Sequence, residues 1–553
     1  MISLDIPEIT KEILYSMKID NNEDARKFLY PNINDLYSYK MINYINEVIE
    51  LFSKHISKKS TILFYCDYDV DGICSASILT LGLRKILKNN GCDFIVKLPT
   101  RQEGYGMNLE YLKKITQKKD IGLIVTADNG IKCVDEIKYC RDKNIDVIVL
   151  DHHTPDIDNL PNANYIIDFY LPDNTYPFKH LCGAGLSFKF ICAVNDYFNN
   201  DINKFYPLLQ YVALATIADV VPLIDENRAL TYLGIKDINK RPLFGIKSLL
   251  TNLNITKEVD SEVINYQIAP CINAPGRIHA PDLSYNLLIN NDHEVVNKLA
   301  IEVIEINKRR KELTEKYTND AIEQIENIYK EDYVYIIECE NCPEGIIGLV
   351  AGRIKEKYNK PSIVFTEHNG YLTGSARSIE NFNIYNNLTT LKDTLLRYGG
   401  HALAAGLSIK KENLTVLREK INKLAHNILN LKDFEKEYNI FKTIDNNEIE
   451  QYYNAINILE PFGEKNPKPL FEVNFKTNLH KYKQTHYEIL VEKYLKLYGV
   501  YNTVGISFDE NIKDKYISLN TPTNIKTIGY LNKNVFNDYT SYQINILDFK
   551  GSV

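Results

Sequence analysis

The sequence predicts an α/β protein: a parallel, doubly wound N-terminal sheet, a long connecting helix, a second and smaller α/β domain, and a C-terminal OB-like β-barrel. Three observations predict it. Between residues 61 and 168, five short apolar stretches alternate with amphipathic ones. Between 291 and 330, Val295, Leu299, Val303 and Ile306 recur at helical spacing among charges, with no Pro or Gly. After "LEPFGEKNPKPLF" (459–471) the chain turns to short alternating segments rich in Tyr and Phe, with Lys interleaved.

The five stretches are TILFYC (61–66), DFIVKL (93–98), GLIVTA (122–127), DVIVLD (146–151) and NYIID (164–168). Strand and helix alternating at this spacing imply right-handed crossovers and a parallel sheet. The 291–330 stretch reads as one or two helices joining two lobes. A second unit follows, with strands in DYVYIIEC, PSIVFT and YLTGSARS and a helix over EGIIGLVAGRIKEKY, closing near RYGGHALAAGLSI (397–409). The Pro-rich 459–471 reads as a hinge, and about five strands beyond it suit an OB-like barrel. At 553 residues several cores are expected. The divisions are 1–290 with an N-terminal extension, 291–330, 331–430 and 431–553.

In a doubly wound sheet the ligand site lies beyond the carboxyl ends of the strands. Asp67, Asp69 and Asp71 follow the first strand, Asp128 follows the third, and Asp151, His152 and His153 end the fourth. A lone Asp at a strand end is ordinarily a helix cap or turn former. Three coincident acidic ends, one with paired histidines, point instead to a site. Asp219 adds a charge inside the apolar run YVALATIADVVPL, where it needs a partner. Carboxylates and imidazoles without paired cysteines suit Mn2+ or Mg2+. So many acids at one edge call for two cations, which clamp a phosphate and activate water. The chemistry read from these residues is metal-dependent hydrolysis, most plausibly of a phosphoester.

Other segments suit a phosphate-bearing substrate. Arg101 lies in PTRQEGYG after the second strand, and Arg277 in INAPGRIHA reads as a turn residue stiffened by Pro275 and Gly276. Ser375 and Arg377 stand in GSARS, and His401 in GGHALAAG. Glycine-flanked polar groups let backbone N–H donors approach an anion, and Arg adds forked contacts.

DYDVDG, ADNG, DHH and TIADVVPL, in this order, resemble the four motifs of the DHH phosphoesterase superfamily, and GGHALAAG resembles the signature of its associated second domain. RQEGYG, INAPGR and LEPFGEKNPKPLF narrow the resemblance to the RecJ exonucleases, from about residue 20 to 553. The resemblance implies a single-stranded-DNA-specific 5′-to-3′ exonuclease of recombination and repair. It implies two divalent cations, Mn2+ or Mg2+, held by Asp67, Asp69, Asp128, His152 and Asp219, with Asp128 bridging. His153 would face the scissile phosphate, Asp71 and Asp151 would orient ligands and loops, and Arg101, Arg277, Ser375, Arg377 and His401 would hold the nucleotide end. Among the catalytic groups the resemblance places His153, Asp128 and Asp71. Its implied partners are single-stranded DNA, a single-stranded-DNA-binding protein and a RecQ-type helicase, acting on a monomer. Unlike many members, the chain has Leu63, Tyr65 and Cys66 rather than a histidine before the first Asp. One metal then lacks an imidazole, with water or Asp151 filling in. The second lobe reads CPEGIIG where a histidine is common. The alternatives are a nanoRNA or cyclic-dinucleotide phosphodiesterase, which is typically shorter, and a metal-free replication scaffold, which the intact motifs disfavour.

Composition sets bounds. A net charge of −7 gives no global sign of nucleic-acid binding, though a local groove can supply the field. The start MISLDIPEIT resembles no signal peptide, and no stretch nears the roughly 20 apolar residues of a membrane span. Ten cysteines without framework spacing predict free thiols in a cytoplasmic protein. Cys339 and Cys342, a lone C-x-x-C, read as packing rather than zinc.

Overall fold

The structure, a computed structural model, describes residues 2–551 except 369, 482, 492, 537 and 538. Its first sheet contains β1 (Thr61–Cys66), β2 (Phe94–Lys97), β3 (Ile121–Ala127), β4 (Asp146–Leu150) and β5 (Tyr165–Ile167). The order is β2-β1-β3-β4-β5, all parallel. Alternate residues of β1 enter two different cores. Ile62, Phe64 and Cys66 face the large core shared with the Val70–Asn89 and Gly183–Tyr197 helices. Leu63 and Tyr65 face the core completed by Met107, Leu112 and Ile137. Both faces are covered, which is why these strands read as continuous apolar runs. The chain reverses its winding between β1 and β3, and a crevice opens there beyond their carboxyl ends.

The connecting segment is a helix, His293–Gln324, capped by the Asp292 carboxylate and continued by a π turn at Ile325–Tyr329. The second sheet joins β6 (Tyr335–Glu338), β7 (Ser362–His368), β8 (Tyr371–Arg377), β9 (Arg397–His401) and β10 (Ala404–Lys410) in the order β6-β7-β8-β10-β9. The third sheet has seven strands, one before the 459–471 segment and six from its end onward, where about five were expected beyond it. They are β11 (Ile440–Asp445), β12 (Leu470–Lys476), β13 (Tyr487–Leu490), β14 (Tyr494–Tyr498), β15 (Val504–Ser507), β16 (Asn524–Phe536) and β17 (Tyr539–Gly551), in the order β11-β12-β16-β17-β15-β14-β13. Phe471, Phe475, Tyr516 and Phe549 there are core.

Two features differ from the sequence reading. The start of the N-terminal extension shares its core with the third sheet, where Ile9, Leu14, Phe28 and Leu29 pack with Ile449, Ile456 and Leu459 and the Thr10 hydroxyl donates to the Ala455 carbonyl at 2.7 Å, whereas Ile45, Val48 and Phe52 join the first sheet's core. The 459–471 segment is no free hinge. Leu459 and Phe471 are fully buried, and Asn466 Nδ2 donates to the carbonyls of Leu459 and Pro461 at 3.1 and 2.8 Å.

All ten cysteines are buried free thiols, Cys339 and Cys342 within the core beneath the second sheet. Among the described residues no helix is long and apolar enough to cross a membrane.

Candidate functional site

The crevice gathers the acidic strand ends. After β1 the chain turns at once into the Val70–Asn89 helix, and Asp69 caps it, its carboxylate accepting from the N–H groups of Asp71 and Gly72 at 3.0 and 3.1 Å. The ordinary role of a strand-end Asp is thus real here. Asp69 nonetheless lies with Asp67 and Asp128, their ligand atoms within 4.8 Å of one another. Asp128 adopts φ +60, in the left-handed region that Asp enters more readily than most residues. A Cβ on Gly183 would meet Asp128 Cβ at 2.6 Å, so only glycine lets that helix start approach so closely.

His152 links the acids. Its Nε2 lies 3.0 Å from Asp128, 3.4 Å from Asp71 and 3.7 Å from Asp219. Asp219 stands just past the Leu209–Ala218 helix. Three donor groups could each hold an ion: Asp67, Asp69 and Asp128; Asp71, His152 and Asp219; and Asp128, His152 and His153. Asp128 and His152 each recur in two of these groups, and the Asp128 carboxylate, with two oxygens, could serve both. Asp71, read from sequence as a supporting residue, reaches the donor set directly while its oxygens accept from Gly183 and Ala184 N–H at 2.6 and 2.7 Å.

Electrostatics show what the cluster demands. Burial, compounded by Asp69, pushes Asp67 well above the usual carboxylate range, and burial with Asp71 does the same to Asp128. Asp71 is pushed to about 7 by burial and Asp69, and Asp219 to about 9 by burial and Asp71. Asp67 Oδ1 is buried without a hydrogen-bond partner. A crowded, desolvated carboxylate set with an orphaned oxygen fits divalent cations, which neutralise the repulsion and fill the open lone pair. Burial and neighbouring His153 push His152 down to about 4, the neutral form a ligand needs.

His153 behaves oppositely. Burial opposes its charge, but the Asp151 carboxylate, 2.7 Å from Nδ1, overcomes this and raises it to about 9. Asp151, the sequence reading's stand-in for an absent ligand, is in none of the three donor groups; its Oδ1 accepts from His152 and His153 N–H and its Oδ2 from Ile131 N–H. The set without an imidazole is the Asp67–Asp69–Asp128 group. Tyr105, passed over in sequence, places its hydroxyl 3.0 Å from His153 Nδ1. It stands in the RQEGYG segment, and only its spacing from Arg101 could have flagged it.

Beside the acids opens a cavity of about 530 Å³ lined by Arg101, Arg277, Ser375, Arg377 and Arg397 together with Gly345, Gly348, Gly374 and Gly406. Arg101 lies over the Tyr68 ring at 4.6 Å, and its buried Nε has no hydrogen-bond partner. Arg277 is not in a turn. It occupies the last turn of the Ala269–Ile278 helix, which absorbs Pro275, and Nη1 donates to the Gly345 carbonyl at 3.2 Å. Burial and then Arg101 push Arg277 down to about 9, and burial lowers Arg377. Converging, underpaired guanidiniums fit an anion. Arg397, on β9, was missed because nothing local marks it. His401 sits at the exposed end of β9, outside this lining.

A second cavity, about 920 Å³, separates the first lobe from the third sheet. Val220 (62% exposed), Tyr266 (68%) and Phe508 (61%) stand open in it, with Lys436 and Lys468 among its lining.

Known proteins match all three regions. The model of the DHH family, N-terminal domain, matches residues 61–216, that of the DHHA1 domain matches 331–427, and that of the RecJ OB domain matches 443–548. The single-stranded-DNA-specific exonuclease RecJ of Bacillus subtilis is 34% identical over 84% of this chain, which covers 58% of that relative. The protein of the same name from Haemophilus influenzae is 30% identical over 83% of this chain and 82% of its own length. The crystal structure of RecJ in complex with Mn2+ from Thermus thermophilus shares the fold, with a TM-score of 0.82 over 99% of this chain and 76% of that one, at 23% identity.

Proposed function

Since the chain belongs to the RecJ family of single-stranded-DNA-specific exonucleases, we propose that it hydrolyses single-stranded DNA from the 5′ end by a two-metal mechanism, in recombination and repair. The observation that carries this reading is the adjacency of a frustrated acidic cluster and an arginine cavity. Asp67 feels Arg101 and Arg277 feels Asp69, so one phosphate chain can span both.

Asp67, Asp69, Asp128, His152 and Asp219 would hold two divalent cations, manganese or magnesium, with Asp71 close enough to share a ligand role. When bound, the ions activate water and neutralise charge developing on the phosphate. Arg101, Arg277, Ser375 and Arg377 hold a terminal phosphate, and Arg397 extends that surface. His401 would engage only nucleotides reaching beyond the cavity. His153, kept protonated by Asp151, faces the reacting phosphate as a charge stabiliser or as proton donor to the leaving oxygen. The Tyr266 and Phe508 rings, with Lys436 and Lys468 nearby, offer stacking and phosphate contacts to the rest of the strand. Ten buried thiols support a cytoplasmic setting. A single-stranded-DNA-binding protein and a RecQ-type helicase would supply and open the substrate.

The test is digestion of single strands blocked at one end or the other, with Mn2+, Mg2+ or chelator. Loss of only the 5′-accessible strand, abolished by chelator, is expected. Degradation solely from the 3′ end overturns the polarity, and activity confined to dinucleotides favours the small-phosphodiester alternative.

A further inference from the structure

Arg228 lies in the first turns of the Asp225–Lys240 helix, on the first lobe but outside the site. Its side chain is 1% exposed and forms no ion pair among the described residues. Instead it donates to four carbonyl oxygens: Nε to Phe28 at 2.5 Å, Nη1 to Pro461 at 3.1 Å, and Nη2 to Leu459 and Glu460 at 3.0 and 2.9 Å. Its guanidinium also stacks on the Phe28 ring, 3.7 Å from the centroid. A buried cation with no direct ion pair, only the Glu460 charge nearby to oppose the cost, is a costly way to fill a core. Burial pushes this guanidinium down to about 9.

What the cation secures is the junction of three distant segments: the N-terminal extension, the first lobe and the chain leading into the third sheet. Beyond Pro461 that chain is fastened again. The Glu460 carboxylate accepts from the Ser261 hydroxyl at 2.9 Å and from Phe462 N–H at 3.1 Å, and Leu223 N–H donates to the Glu464 carbonyl at 2.7 Å. Phe462, Gly463, Glu464, Pro467 and Lys468 then form one wall of the large cavity between lobes.

We propose that Arg228 is a positioning residue that fixes the 459–468 wall against the first lobe, and so sets how a long single strand is held across the cavity without taking part in the hydrolysis. The inference rests on the exonuclease reading above, and it deepens that reading by separating strand capture from chemistry. Lysine keeps the charge at 228 but has one nitrogen in place of a fork, so it cannot serve all four carbonyls.

The test compares Arg228→Lys with the unmodified full chain, in Mn2+, on two 5′-phosphorylated substrates: a dinucleotide and an oligodeoxythymidylate of roughly 40 nucleotides, long enough to cross both lobes. The expected result is a KM for the long strand raised about tenfold, with its kcat and the dinucleotide kcat/KM held within about twofold. Parallel losses on both substrates would mean general damage, and no change on either would mean no positioning role. Each overturns the proposal. If Arg228→Lys shows no cooperative melt, Asn466→Ala, which loosens the same carbonyls, decides by the same split. An unmodified chain inactive on both substrates would instead remove the exonuclease reading.

Discussion

The two ends of the first sheet carry similar side chains and opposite electrostatics. At the amino ends of the strands, His55 Nε2 lies 3.0 Å from Asp146, which also accepts from Arg141 at 2.6 Å and Asn164 at 2.8 Å, while His55 Nδ1 meets the Ser60 hydroxyl at 3.1 Å. Burial disfavours the Asp146 charge, yet the bonds from His55, Asn164 and Arg141 hold it below the usual carboxylate range. At the carboxyl ends, Asp67, Asp71, Asp128 and Asp219 are all driven upward by burial and then by the neighbouring charges of Asp69 or Asp71. One end is a finished polar network. The other is complete only with cations. Residue type alone does not separate structure from function; the balance of donors against buried charge does.

That contrast can be broken or sharpened by substitution. Asp128→Asn should lower kcat by about 10³-fold or more, several kcal/mol of lost transition-state stabilisation. It should also raise the stability of the metal-free protein by on the order of 1 kcal/mol, because a repelling charge is removed. Asp146→Asn should do the reverse, destabilising the fold by about 1.5–3 kcal/mol through weakened bonds to charged partners while turnover of the folded fraction stays within about twofold. A melt in which both variants shift the same way would erase the distinction. Manganese at about 100 times its Kd should stabilise the unmodified chain by about 2.7 kcal/mol for each ion bound, and Asp128→Asn by much less.

The smallest expected effect is a pH slope. Asp71 and Asp219 titrate near 7 and 9 in the metal-free fold, against ordinary values near 3.8. Between those limits the native state binds more protons than the unfolded chain, so metal-free stability falls as pH rises through this window. Denaturant midpoints across it should show a shallower fall in Asp219→Asn. Metal affinity should climb over the same range, since binding releases those protons.

Much of this was legible in the sequence, and for local reasons. Short apolar runs bounded by turns reveal parallel strands, and acids one to five residues past them fall at the carboxyl edge whatever the detail of the loops. What escaped depended on partners far along the chain. Asp71 reads as a supporting residue because nothing local brings His152 to it. Pro275 and Gly276 read as a turn, yet packing holds them in a helix with Arg277 at its end. The 459–471 segment reads as a hinge because proline punctuates loops. Its carbonyls are held by Asn466 and by Arg228, which looks like any surface arginine until the fold buries it. The start of the N-terminal extension pairs with a core more than 400 residues distant, and no periodicity announces that.

The most direct measurement is the manganese stoichiometry of the unmodified chain, Asp128→Asn and Asp146→Asn by equilibrium dialysis at one pH. The account predicts two ions per chain for the unmodified protein and for Asp146→Asn, with at least one lost in Asp128→Asn. Two ions bound with unchanged affinity in Asp128→Asn would contradict it.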